Sequence, residues 1–211
     1  WSSDVCSSDL CNVDPQYDIN SGADLSGMDL RGADLAGADL DDANLVHCDL
    51  TGANLAGASL RRAELVGAQL RRADLSGACL SGANLTSAQL MEANLSGADL
   101  TGANLLVAGL YCADVSSATL TGALLRRAWL SETDFSGADL VEANLIAANV
   151  TKANLTGANL TGANLRDADL TGADLTGANL TEAIRHWANF TDVVGLEEDT
   201  SRTQSPTVDL Q

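Results

Sequence analysis

The sequence predicts an all-β solenoid, a rod made by stacking short bent units, and three observations carry that prediction. Leu recurs every five residues from Leu25 to Leu180 and fills 29 of the 32 positions in that register, with Val115, Phe135 and Val150 in the others. Ala stands two residues earlier at 29 of the 32, the exceptions being Met28, Cys48 and Thr133. Both prolines, Pro15 and Pro206, lie outside the pattern, which runs for 160 residues without insertion.

The unit reads A-(D/N)-L-(S/T)-G, and its period excludes a helix. Steps of five residues advance a helix by about 140° net, so the Leu residues would not form a stripe. A short strand fits locally, because Ala and Leu two apart share one face and the Asp or Asn between them points away. Five is odd, however, so a straight strand would turn the next Leu outward. The chain must bend once per unit. Gly tolerates such bends, and Ser, Thr, Asn and Asp hydrogen-bond locally within them. If each bend is near a right angle, four units close a coil of 20 residues, and coils stack at the ~4.8 Å strand spacing.

The run SGADLSGMDLRGADLAGADL and its successors resemble the pentapeptide-repeat family over residues 23–182. That resemblance implies a right-handed quadrilateral β-helix of about eight coils, roughly 38 Å long at that spacing. The core is then a ladder of Leu with Ala between, whose stability sums over neighbouring coils. Residues 11–22 read as an N-terminal lead-in. At Arg185 the Leu register fails, and Trp187, Phe190, Val193, Val194 and Leu196 follow, so residues 183–196 read as a C-terminal cap or dimer seam. The resemblance implies a homodimer through that end coil. Residues 197–211 read as a flexible acidic and polar tail. Residues 1–10, WSSDVCSSDL, read as a non-native, adapter-like segment without a starting Met. The expected compartment is the cytoplasm, with the question of a signal peptide left open.

Composition narrows the function. The 211 residues carry 29 Asp plus Glu against 11 Lys plus Arg, a net charge of −18. Direct binding to nucleic acid or an anionic membrane is not expected, because phosphate contacts need Lys and Arg. No apolar run is long enough to span a bilayer. Aromatics are 3% although hydrophobic residues are 45%, so the core is aliphatic and the chain is not disordered.

No catalytic constellation is present, and neither a cofactor nor a metal is expected. The two histidines, His47 and His186, are far apart, and phosphate loops, nucleophile elbows and HExxH motifs are absent. His47 beside Cys48 suggests a metal pair, but Cys48 takes an inward Ala position and His47 a corner, so a buried thiol and a solvated imidazole are the better reading. No C-x-x-C occurs.

Residues twenty apart share a face of the coil. Face one is centred on Leu25, face two on Leu30, face three on Leu35 and face four on Leu40. Faces one and two sum to 0 and −1, and faces three and four to −5 each. The acidic candidates are Asp34, Asp74, Asp114, Asp134 and Asp174 on face three, with Asp39, Asp99 and Asp139 on face four. Faces one and two hold the irregular residues. Met91, Leu106, Val107, Tyr111, Leu124, Arg126, Arg127 and Trp129 are outward by register, and stacking sets Leu106 beside Arg126, Val107 beside Arg127 and Met91 beside Tyr111. This apolar, aromatic and Arg mixture matches the composition of interface hot spots. The alternative is a set of drifted repeats with harmless surface residues.

The expected function is a non-enzymatic scaffold for protein–protein interaction through that patch. The alternative comes from the resemblance: some members are acidic rods that imitate duplex DNA, bind DNA gyrase or topoisomerase, and protect bacteria from quinolones. Those members tend to be less regular and richer in Phe and Cys, and some carry an inserted loop that this chain lacks. A third reading, lattice binding by the column Ser76, Ser96, Ser116, Ser136, Thr156 and Thr176, would need a flat two-dimensional array.

Overall fold

The structure is a computed structural model and describes residues 20–196. The readings of residues 1–10, of 11–19 and of 197–211 lie outside the described residues. Every five-residue unit follows one course: two turn residues after the core Leu, then a single bridge residue between Ala and the next Leu. All bridges are parallel and join residues twenty apart, from Asp24↔Asn44 to Asp174↔Val194. Four units therefore return the chain to its own edge, and each side contributes one bridge residue per rung.

Where the N–H groups go explains why this unit has these residue types. The unit of Leu45 is representative. Leu45 N–H donates to Glu64 C=O at 2.7 Å and His47 N–H to Val66 C=O at 2.9 Å, one rung on. Asn44 N–H donates back to Ala23 C=O at 2.8 Å, and Cys48 N–H closes the turn onto Leu45 C=O at 3.1 Å. Four of the five donors thus meet backbone. The fifth, on Val46, is taken by the side chain of Asn44 at 3.2 Å. Asp or Asn suits the place between Ala and Leu because a short side-chain oxygen there reaches the N–H two residues on.

The second residue after each Leu has positive φ in every unit from Gly22 to Asp192, and eighteen of these corners are not glycine. The sequence pattern assigns the bends to Gly, and the structure distributes them more widely. Such a conformation costs about 1–2 kcal/mol for an L-residue, and the rung-to-rung hydrogen bonds on both sides hold it in place. Val107, φ 58°, is the one β-branched residue among these corners. Gly109 is the converse case: of the nineteen glycines it alone lacks positive φ.

The core is the expected ladder. Leu and Ala of the register are buried from Leu25 to Leu175 apart from Ala38, Met28 at an Ala place is half-buried too, and Cys48 takes an Ala place with its thiol against Met28 C=O. Phe135 fills a Leu position directly above Val115, so a larger side chain meets a smaller one and the volume is conserved. Thr133 replaces Ala and donates its hydroxyl to Leu110 C=O at 2.7 Å. Beyond Leu180 the same bridges continue, with Asn164↔Ile184 and Asp169↔Asn189, so residues 183–194 extend the repeat. This last turn leaves Ile184, Trp187 and Val194 exposed.

Candidate interaction face

The four sides differ in how completely the fifth N–H of each unit is met. On face three every rung from Asp34 to Asp174 has Asp or Asn, and the donors on Ala36, Ala56, Ser76, Ser96, Ser116, Ser136, Thr156 and Thr176 are all bonded by it. Face two differs over four consecutive rungs. There the bridge residues are Gln69, Gln89, Gly109 and Trp129. None offers an oxygen at the right reach, and among the described residues the N–H groups of Arg71, Met91, Tyr111 and Ser131 have no hydrogen-bond partner. Bonding resumes at Thr151, which uses Asn149.

Gly109 opens a notch in this column. Its neighbours one rung away are Gln89 and Trp129, and its own backbone is fully engaged, with N–H on Ala88 C=O and C=O taking Leu90 N–H. The missing side chain leaves a cavity of about 470 Å³ lined by Met91, Val107, Tyr111 and Trp129, with Ser87, Gln89 and Ser131 at its rim. Trp129 is 58% exposed, far more than a supporting ring would be, and Val107 and Tyr111 are exposed too. A Cβ on Gly109 would make only an ordinary 3.5 Å contact with Gln89. Neither backbone angle nor space demands glycine here.

The charges around the notch are uneven. Arg31, Arg61, Arg62, Arg72 and Arg166 each pair with a carboxylate. Arg126 and Arg127, on the corner between faces one and two, are exposed and form no ion pair among the described residues. On the opposite edge Glu132 accepts hydrogen bonds from Tyr111 hydroxyl at 3.4 Å and Cys112 thiol at 3.7 Å.

Of the eight residues the sequence nominates, Met91, Val107, Tyr111 and Trp129 come together around this cavity. Leu106 is half-buried beside Val107 in the same corner, and it, Leu124, Arg126 and Arg127 do not line the cavity. Sequence reasoning missed Gly109 and Gln89. The signal was available: Gly109 is the repeat's only glycine between Ala and Leu, a place where Asp or Asn is the rule.

The acidic candidates occupy their expected faces. Asp34, Asp39 and Asp114 are exposed, while Asp74, Asp99, Asp134, Asp139 and Asp174 are half-buried. Most are tied into the framework. Asp34, Asp74 and Asp134 each accept from the Asn one rung on, at 2.9, 3.1 and 3.0 Å. The hydroxyl and N–H of Thr176 hold Asp174 below the usual carboxylate range. On face two the Arg31 guanidinium lowers Asp29 to about 2. Burial pushes the Cys48 thiol up to about 12, aided by Asp49 and Asp29, which leaves it protonated and unreactive. Among the described residues no cluster of His, Cys, Asp and Glu is arranged to hold a metal ion. No helix among them is long and apolar enough to cross a membrane.

The family model described as pentapeptide repeats matches this chain at residues 21–57, 48–86, 88–127, 118–157 and 158–194. Among solved structures, HetL, a pentapeptide repeat protein involved in heterocyst differentiation regulation from the cyanobacterium Nostoc, is 36% identical over 82% of this chain and 88% of its own, with a TM-score of 0.43. QnrB1, a plasmid-mediated fluoroquinolone resistance protein, is 22% identical over 81% of this chain and 88% of its own, with a TM-score of 0.66. No curated protein sequence matches.

Proposed function

The chain belongs to the pentapeptide-repeat family, and from that premise we propose that it is a non-enzymatic scaffold that holds a protein partner on face two. The notch at Gly109 carries this reading. On face two a cavity is walled by an exposed Trp, an exposed Tyr and a strained Val, beside two guanidiniums that form no ion pair among the described residues. Exposed Trp, Tyr and Arg are the residue types that dominate binding energy at interfaces. The rod itself is the right-handed quadrilateral β-helix of its family, of about eight coils over residues 23–182, and a second copy seats on the exposed last turn through Ile184, Trp187 and Val194. Pulldown from a host-cell lysate tests the scaffold. Trp129→Ala and Arg126→Ala should lose the captured protein while Asp74→Ala, on face three, keeps it. Equal loss from all three would sink the reading.

A second reading rests on face three, which has five Asp in the repeat and no base. An acidic column on a rod is the feature that would let a protein imitate duplex DNA, and the fold shared with QnrB1 is compatible with binding to gyrase. Supercoiling by gyrase, with and without a quinolone, decides it: neither inhibition nor protection at micromolar protein would end this reading.

A further inference from the structure

We infer that the Gly109 notch takes the carboxylate of an acidic peptide segment, which supplies the side-chain oxygen that this rung lacks and so completes its turn. This rests on the scaffold reading and names the partner's chemistry. In the bonded units, the N–H two residues past the bridge residue meets a carboxylate or amide oxygen at 2.8–3.3 Å. The backbone at Gly109 follows the same course, with the same bridges and the same rung-to-rung bonds. The Tyr111 N–H therefore faces the space that an Asp or Asn side chain fills elsewhere, and that space is the cavity. The bare donors of Met91 and Ser131 stand one rung to either side.

Charge selects the acid over the amide. Arg127 lies one rung beyond Val107 in the notch wall and two residues before Trp129, and neither it nor Arg126 has a carboxylate of its own. A carboxylate accepts from backbone N–H and guanidinium at once, and such charge-assisted bonds are the strong ones. Trp129, Met91 and Val107 then suit a large apolar residue next to the acid in the same segment, while Glu132, on the Tyr111 edge, limits the segment to a single acid held from the Arg126 and Arg127 side. Two departures from the repeat converge on this place. Gly109 is the glycine that no backbone angle requires, and Val107 is the β-branched residue that its backbone angle opposes. Strain kept beside a cavity is a reason to look for function in that cavity.

The test selects a random peptide display library on the full chain and follows the ¹⁵N-labelled protein by NMR. Gly109→Asn is the informative variant, because it restores the residue type, Asp or Asn, that 23 of the 32 units use and fills the notch without breaking the fold. Enriched peptides should pair Asp or Glu with a neighbouring large apolar residue. They should bind Gly109→Asn and the Arg126→Gln/Arg127→Gln double variant about tenfold more weakly, the scale of one lost charge-assisted hydrogen bond. They should also slow exchange of the Tyr111 amide, whose N–H meets no acceptor among the described residues and should exchange fast in the free chain. Peptides without an acid that still lose binding to Gly109→Asn overturn this inference and leave the scaffold standing. Peptides indifferent to both Gly109→Asn and Trp129→Ala, or no enrichment at all, sink both. A Tyr111 amide already protected in the free protein would assign the notch elsewhere, to a second copy if protection rises with concentration and to this chain's own acidic end if it does not.

Discussion

Face two and face three are built from the same five-residue unit, yet one is complete and the other is not. On face three an Asp or Asn at each rung from Asp34 to Asp174 bonds the N–H two residues on. On face two four successive rungs omit that side chain, and Trp129, Tyr111 and Met91 gather where it is missing. The difference separates two meanings of the acidic residues. Where the carboxylate closes a turn it belongs to the framework, and much of the chain's negative charge follows from that requirement. Information about partners lies where the framework is left open.

The largest effect expected of a single change tests the core behind the complete face. Val115→Leu should cost about 1–3 kcal/mol by overpacking against Phe135, and Phe135→Ala about 3–5 kcal/mol through the cavity it leaves. Val115→Leu with Phe135→Leu restores the plain Leu ladder found behind faces one and four, and the pair should be far less harmful than the sum. Chemical denaturation of the single and double variants reads the coupling; simple additivity would show that the two side chains do not share one space.

A smaller effect separates the faces themselves. Asp134→Ala strips Ser136 N–H of its acceptor and Asn154 of its rung-to-rung partner, and should destabilise by about 1–2 kcal/mol. Trp129→Ala, at the same position of the unit on face two, frees no such donor and should change stability by about half that or less while abolishing capture of a partner. Thermal melts of the two variants side by side check it. A Trp129→Ala loss as large as that of Asp134→Ala would make the exposed ring a structural element.

Much of this architecture is legible in the sequence, and the parts that are not have physical reasons. The Leu and Ala positions declare the core because their period is uniform and volume leaves little choice. Gly109 is legible as the one glycine at its place in the repeat but not as a cavity, since a missing side chain has no chemistry of its own and becomes a cavity only when Gln89 and Trp129 are stacked on either side. The positive φ at Val107 was hidden for a related reason: the corner is imposed by the rungs above and below, so residues other than Gly take it. Val107→Gly should accordingly stabilise the chain by no more than about 1 kcal/mol, strain relief being offset by the freer unfolded chain. It should at the same time weaken peptide binding, because the notch loses a wall. A melting temperature that falls would mean that Val107 packing outweighs its backbone strain.

The smallest expected effect asks whether the framework acids act through geometry or through charge. Asp24 on face one and Asp174 on face three both close turns, and hydrogen bonds from Ser26 and Thr176 hold their carboxyls below the ordinary value of 3.8. A carboxyl whose folded pKa is depressed contributes stability that is fully present above 3.8 and is lost as the pH falls through the lower folded value. Stability should therefore drop as the pH falls below 3.8. Asn makes the same turn without titrating, as Asn44 and Asn154 already do. Asp24→Asn with Asp174→Asn should leave neutral-pH stability nearly unchanged and flatten the acid limb of a denaturation series. If the double variant instead unfolds more readily at neutral pH, the carboxylate's charge strengthens these turns beyond what an amide oxygen provides, and the acidity of the turn-closing residues is part of their stability.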